Sequence, residues 1–108
     1  MSKYTIGVDV GGTNIKFGLV NNRGQVIARE RLSTKEFSGK KQKLIKAIIQ
    51  KIKGFMADNN LTKKHVRGIG FGLPGLIDPK KGVVIVLPNV PGWQNTPLKK
   101  IVEKELKI

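Results

Sequence analysis

The sequence contains no cysteine, which excludes disulfides and thiolate metal sites and favours a reducing compartment. Its one histidine, His65, has no second imidazole or thiol with which to hold a metal, so no zinc site is expected. No apolar run approaches the roughly 18 residues that span a bilayer. The N-terminus, "MSKYTIGVDVGG", lacks the basic start and apolar stretch of a secretion signal. A cytoplasmic protein with no membrane partner is therefore expected. Acids are scarce as well: seven Asp and Glu stand against 21 Lys and Arg, a net charge of +14.

That excess raises nucleic acid, an acidic surface or a phosphorylated ligand as partners. Much of it lies in "KKQKLIKAIIQKIKGFMADNN" (40 to 60), where Leu44, Ile45, Ile48, Ile49, Ile52, Phe55 and Met56 fall on one helical face. Lysines 40, 41, 43, 46, 51 and 53 cover the remainder as a solvated face. No aromatic or arginine platform is interleaved to stack on bases, so nucleic acid is not the expected partner.

At 108 residues the chain is one domain, residues 1–108, whose core buries only about two-thirds of the unfolded surface. "YTIGVDV" (4 to 10) and "IKFGLV" (15 to 20) read as strands around a Gly-rich turn, and "NNRG" leads into a third, "QVIARERL" (25 to 32). The helix at about 40 to 57 precedes a glycine-laced strand at 67 to 73. A β-β-β-α-β order results, and a strand reached through a crossover helix is expected to run parallel to the first in a mixed sheet. Residues 74 to 93 carry four of the five prolines and read as a shaped loop region with one short strand, 83 to 87. Thr96-Pro97 then reads as a terminal helix start with Thr96 at the N-cap.

The chemistry concentrates in "DVGGTNIKFG" (9 to 18). A strand, a turn of small residues and a returning strand set backbone N–H groups on one concave side, and glycine lets that backbone take positive φ close to an anion. Beside such a nest the Thr13 hydroxyl and Lys16 suit a nucleotide phosphate. Asp9 binds no phosphate but readily holds hydrated Mg2+. The chemistry implied is phosphoryl transfer.

Asp9-x-Gly11-Gly12-Thr13 followed by Gly18 resembles the phosphate motif of the ROK family (repressors, open reading frames, kinases) in the actin-like sugar kinase superfamily. "GIGFGLPGLIDPKKGVV" (68 to 84) and "LPNVPGW" (87 to 93) resemble its next two motifs in order. The resemblance implies an actin-like, RNase H-like N-terminal lobe and glucokinase-like transfer from ATP to a hexose hydroxyl, with ATP and Mg2+ held by Asp9, Gly11, Gly12 and Thr13; Lys16 joins this set from the chemistry of the turn alone. It also implies that Gly75 and Asn89 face the sugar. Where family members commonly carry lysine directly after the threonine, this chain has Asn14. Asp78, before Pro79, reads as a turn residue rather than a base. Gly70 to Gly75 spell G-x-G-x-x-G, but Pro74 follows where a dinucleotide fingerprint must open a helix. Trp93 reads as a packing anchor.

Two other functions stand beside the kinase. The family includes sugar-responsive repressors, whose helix-turn-helix precedes the first motif, while here eight residues precede Asp9. A basic RNase H-like nucleic-acid module needs clustered acids for two metals, and only Asp9 is placed on a central strand. By the resemblance, the family's fifth strand would begin just after Ile108 with the catalytic aspartate at its end, and the second lobe would lie further on. Self-association through an uncovered fourth-strand edge is expected. A coupled assay of the 108-residue chain with glucose and MgATP should show no turnover; magnesium-dependent turnover would contradict the missing carboxylate.

Overall fold

A computed structural model describes residues 3–37, 39–88, 90 and 92–108. In strand β1 (Tyr4–Val10), Ile6, Val8 and Val10 are buried on one face while Thr5, Gly7 and Asp9 take the other. Strand β2 (Asn14–Val20) pairs antiparallel with it and buries Ile15, Phe17 and Leu19 on the same side. Strand β3 (Val26–Ser33) returns antiparallel to β2. Between them Asn21 Oδ1 accepts the amides of Arg23 and Gln25 at 2.9 and 3.0 Å, and Gly24, at φ 79°, supplies the left-handed residue.

Helix α1 (Lys41–Asp58) buries the seven apolar residues that its periodicity marks, Leu44 to Met56. Its C-terminus closes by a Schellman arrangement: Asn60, at φ 58°, donates to Ala57 O at 3.1 Å and Leu61 donates to Met56 O at 2.9 Å. Asn59 Nδ2 adds a bond to Phe55 O at 2.8 Å. Lys51 of α1 pairs with Glu30 of β3 at 3.4 Å. The Arg31 amide and then the Lys51 charge hold the Glu30 carboxyl below its ordinary value.

Strand β4 (Val66–Gly72) pairs parallel with β1, which completes a mixed sheet of order β3-β2-β1-β4. The β-β-β-α-β order and the parallel pairing are those expected. A two-stranded hairpin follows, β5 (Leu76–Asp78) and β6 (Val83–Val86), then helix α2 (Leu98–Leu106). The sheet's apolar face, α1, β6 and α2 share one continuous core. Trp93 is 1% exposed within it and packs as the anchor expected, its indole N–H without a partner among the described residues. β4 is a sheet edge, and beside it lies an apolar cleft of about 550 Å3 lined by Ile69, Phe71, Ile77, Val84 and Leu98. None of the described helices is long and apolar enough to cross a membrane.

Two expectations change. The region 74 to 93 holds a second strand, β5, besides the one expected at 83 to 87, because Leu76 and Ile77 pair with Val86 and Val84. Thr96 does not cap a helix: it is buried at 1% exposure, bridges Val84, and its hydroxyl donates to Trp93 O at 2.9 Å. With that hydroxyl engaged, α2 opens at Leu98, after Pro97, without a side-chain cap.

Candidate phosphate-binding site

Because β1 and β4 are parallel, their C-terminal ends emerge together, and in open α/β sheets such strand ends are where ligands bind. Asp9 is opposite Gly72 on β4 and opposite Lys16 on β2, and Lys16 is in turn opposite Arg31 on β3. Arg31, Lys16, Asp9 and Gly72 therefore form one row across the sheet, on the face away from α1. The Asp9 carboxylate leans over β4, since a Cβ placed on Gly72 would lie 3.6 Å from its Oδ1. Asp9 is exposed, and the only ion pair among the described residues is the one between Lys51 and Glu30.

The hairpin turn from β1 to β2 stands at the same end. Gly11 N donates to Asn14 O at 3.0 Å, so this amide closes the turn and is not available to a ligand. Gly12 and Thr13 are exposed, and their amides donate to no group among the described residues. Neither Gly11 nor Gly12 adopts positive φ, contrary to expectation. Gly11 is needed for closeness instead: a Cβ there would meet Asn14 O at 2.9 Å, nearer than a turn this tight allows.

Thr34 braces the loop from behind. It is 5% exposed, its hydroxyl donates to Gly11 O at 3.0 Å, and its amide donates to Thr13 O at 2.9 Å. Sequence reading missed this residue because "LSTKEF" carries no motif; only the pairing of Asn14 with Ser33 brings it to the turn. Arg29 and Arg31 were also missed, although their alternation with Ala28, Glu30 and Leu32 is the signal that sets them on the Asp9 face.

The residues expected to face a sugar divide. Gly75 lies three residues beyond Gly72, at the same end of the sheet, and its amide donates to Leu73 O at 3.0 Å. A Cβ on Gly75 would come within 2.1 Å of Val86 O, so glycine there lets the loop press against β6. Asn89 lies outside the described residues. Asp78 forms a turn, its Oδ1 accepting the amides of Lys80 and Lys81, both at 3.1 Å. His65 is half-buried, and its Nδ1 accepts the Thr62 amide at 3.0 Å. No group of three or more His, Cys, Asp or Glu capable of holding a metal occurs among the described residues.

Chemically, two turn amides without an acceptor among the described residues, a hydroxyl and a lysine offer hydrogen bonds and positive charge to a polyphosphate. The exposed carboxylate beside them offers oxygen to a hard cation.

Comparison with known proteins places this arrangement among relatives. The model of the ROK family matches residues 5–108. An N-acetyl-D-glucosamine kinase of Photobacterium profundum is 38% identical over 101 residues, 93% of this chain and 31% of that protein. A xylose repressor of Caldicellulosiruptor bescii is 35% identical over 103 residues, 95% of this chain and 25% of the repressor. Among solved structures, a ROK family glucokinase from Streptomyces griseus in complex with glucose and AMPPNP superposes with a TM-score of 0.79 at 28% identity, covering 97% of this chain and 31% of that one. The chain thus spans about a quarter to a third of the length of the relatives it matches.

Replacing Thr34 with Val keeps its shape and removes the bond to Gly11 O. The variant should lose about 1 kcal/mol in chemical denaturation and show faster hydrogen exchange at Gly11. Unchanged exchange there would mean that the turn holds itself.

Proposed function

The chain belongs to the ROK family, and from that premise we propose that it forms the nucleotide-phosphate-binding part of a cytoplasmic, ATP-dependent hexose kinase. One observation carries the reading: the Gly12 and Thr13 amides, which donate to no group among the described residues, stand at the strand end that also presents Asp9. The kinase relatives support it, including the glucokinase described with glucose and a nucleotide analogue.

In this reading Gly12 and Thr13 hold ATP phosphate oxygens by their N–H groups, with Lys16 contributing charge from the adjoining strand. Gly11 and Thr34 keep the turn in shape. Asp9 fits a hydrated Mg2+, since its carboxylate is exposed and in no ion pair among the described residues. When bound, the ion neutralises phosphate charge as the phosphoryl group moves. Gly75 and Asn89 are assigned to the hexose side. Transfer also needs a carboxylate to accept the sugar hydroxyl proton. Glu30 points to Lys51 and Asp78 is engaged by turn amides, so the reading assigns no such base to these 108 residues.

A second reading has its own observation, the 35% identity to a xylose repressor: the same lobe would serve a sugar-responsive regulator. Nucleotide binding separates the two. Titration calorimetry should find ATP binding that requires Mg2+, with a Kd on the order of 1 mM, ~4 kcal/mol. Asp9→Asn should weaken it about tenfold in Mg2+, a loss of ~1.4 kcal/mol, and neither chain should bind measurably in EDTA. ATP binding indifferent to Mg2+ and to Asp9, or none, would favour the regulator.

A further inference from the structure

The lysines of α1 do not stabilise the helix that carries them. Lys40, Lys41 and Lys43 crowd its N-terminal end, where the peptide dipole favours acids, and no side chain caps it. Lys43 and Lys46 lie one turn apart as like charges, and no Asp or Glu precedes Asp58 on the helix. Among the described residues only Lys51 has a carboxylate within ion-pair distance, that of Glu30. Lys43, Lys46 and Lys53 are exposed on the side opposite the buried isoleucines, a stripe about 15 Å long.

The stripe ends at a groove. Where α1 closes, the Leu61 amide donates to Met56 O at 2.9 Å, which turns the chain back across the helix end toward Lys63. Thr62 fixes that turn: its amide donates to His65 Nδ1 at 3.0 Å, and the His65 amide donates to Thr62 O at 3.0 Å. Between this turn and the end of α2 lies a cleft of about 290 Å3, floored by Met56, Leu61 and Leu106 and rimmed by the exposed Lys53, Lys63 and Glu105. Neither rim lysine is in an ion pair with Glu105. Beyond the turn the chain runs the length of β4, about 20 Å, to Gly72 beside Asp9. The groove and the phosphate turn therefore sit at opposite ends of the sheet and share no residue.

An apolar floor under two uncompensated lysines suits a ligand that is apolar at one point and acidic beyond it. The large apolar residues exposed among the described residues, Val26, Ile27, Leu76 and Ile85, all lie off α1 and α2, so these helices offer a lipid surface nothing to insert. No arginine or exposed aromatic stands on α1 for bases to stack on. A second copy of this chain has no acidic run to bring, since no two of its seven acids are adjacent. We propose that the groove docks an acidic segment of a partner polypeptide, with one apolar side chain seated on Met56, Leu61 and Leu106 and the carboxylates that follow laid along Lys53, Lys46 and Lys43. In extended form about five residues cover that stripe. Glu105 sets the direction, because it repels carboxylates from the α2 side and sends the acidic run along α1.

The test is fluorescence anisotropy of the full chain at physiological ionic strength with a labelled peptide, one leucine followed by alternating aspartate and glutamate, and with its leucine-to-serine counterpart. The leucine peptide should bind about tenfold more tightly, ~1.4 kcal/mol. Lys53→Glu/Lys63→Glu, at exposed positions, should weaken it by a further factor of about ten. The same reversal at Lys80→Glu/Lys81→Glu should weaken it less than about twofold, because that turn packs on Lys99 at the other end of α2, about 13 Å away and beyond the ~8 Å screening length. Ala57→Gln lays a polar side chain across the groove from an exposed helical position and should make the two peptides bind alike. All variants should melt at the parent's temperature, and AMPPNP with Mg2+ should leave the peptide bound. No binding, equal binding of the serine peptide, equal weakening by the two charge reversals or displacement by AMPPNP would overturn the proposal. So would tighter binding to a thymidine oligonucleotide of equal charge or to phosphatidylserine vesicles.

Discussion

The parallel pairing of β1 with β4 is the constraint from which the rest follows. A parallel neighbour cannot be reached by a tight turn, so the chain must cross the sheet through α1, and the crossing buries that helix's isoleucine-rich face on Ile6, Val8, Ile15 and Phe17. The same pairing brings both strand ends to one edge, where Asp9 leans over Gly72 and the loop through Gly75 departs beside the first hairpin. It also makes β1 a central strand, with its backbone engaged on both sides. Core and site are consequences of one register.

Much of this was legible because it rests on local chemistry. Alternation in "YTIGVDV" and "IKFGLV" gives the buried face residue for residue, and the 3.6-residue period of 44 to 56 gives the whole contact stripe of α1. The Asn59-Asn60 stop is legible too, as asparagine tolerates the left-handed conformation that a Schellman end requires. What was not legible depends on contacts distant in sequence. Thr34 reaches the turn only through the β2–β3 register. Thr96 carries the chemistry of an N-cap, but tertiary burial turned its hydroxyl to Trp93 O. Leu76 and Ile77 form a strand because β6 pairs with them, not from any signal of their own.

The glycines show why residue type alone misleads. Gly11 and Gly75 are alike in sequence to turn glycines, yet each is required by a carbonyl oxygen within 3 Å of where a Cβ would be. Flexibility is not their role. Gly7, Gly68 and Gly70 have no such neighbour. The motif reads as a nest of positive-φ glycines, and the turn is built differently: Gly11 closes it, Thr34 braces it, and the next two amides donate to no group among the described residues.

The central claim is that the amides of Gly12 and Thr13, beside Asp9, receive polyphosphate. It is tested most directly by amide chemical shifts of the 15N-labelled chain on titration with AMPPNP and Mg2+. The account predicts that the Gly12 and Thr13 signals move earliest and furthest, with Asp9 and Lys16 following and the lysine surface of α1 quiet. Shifts confined to α1, with residues 12 and 13 unmoved, would contradict it.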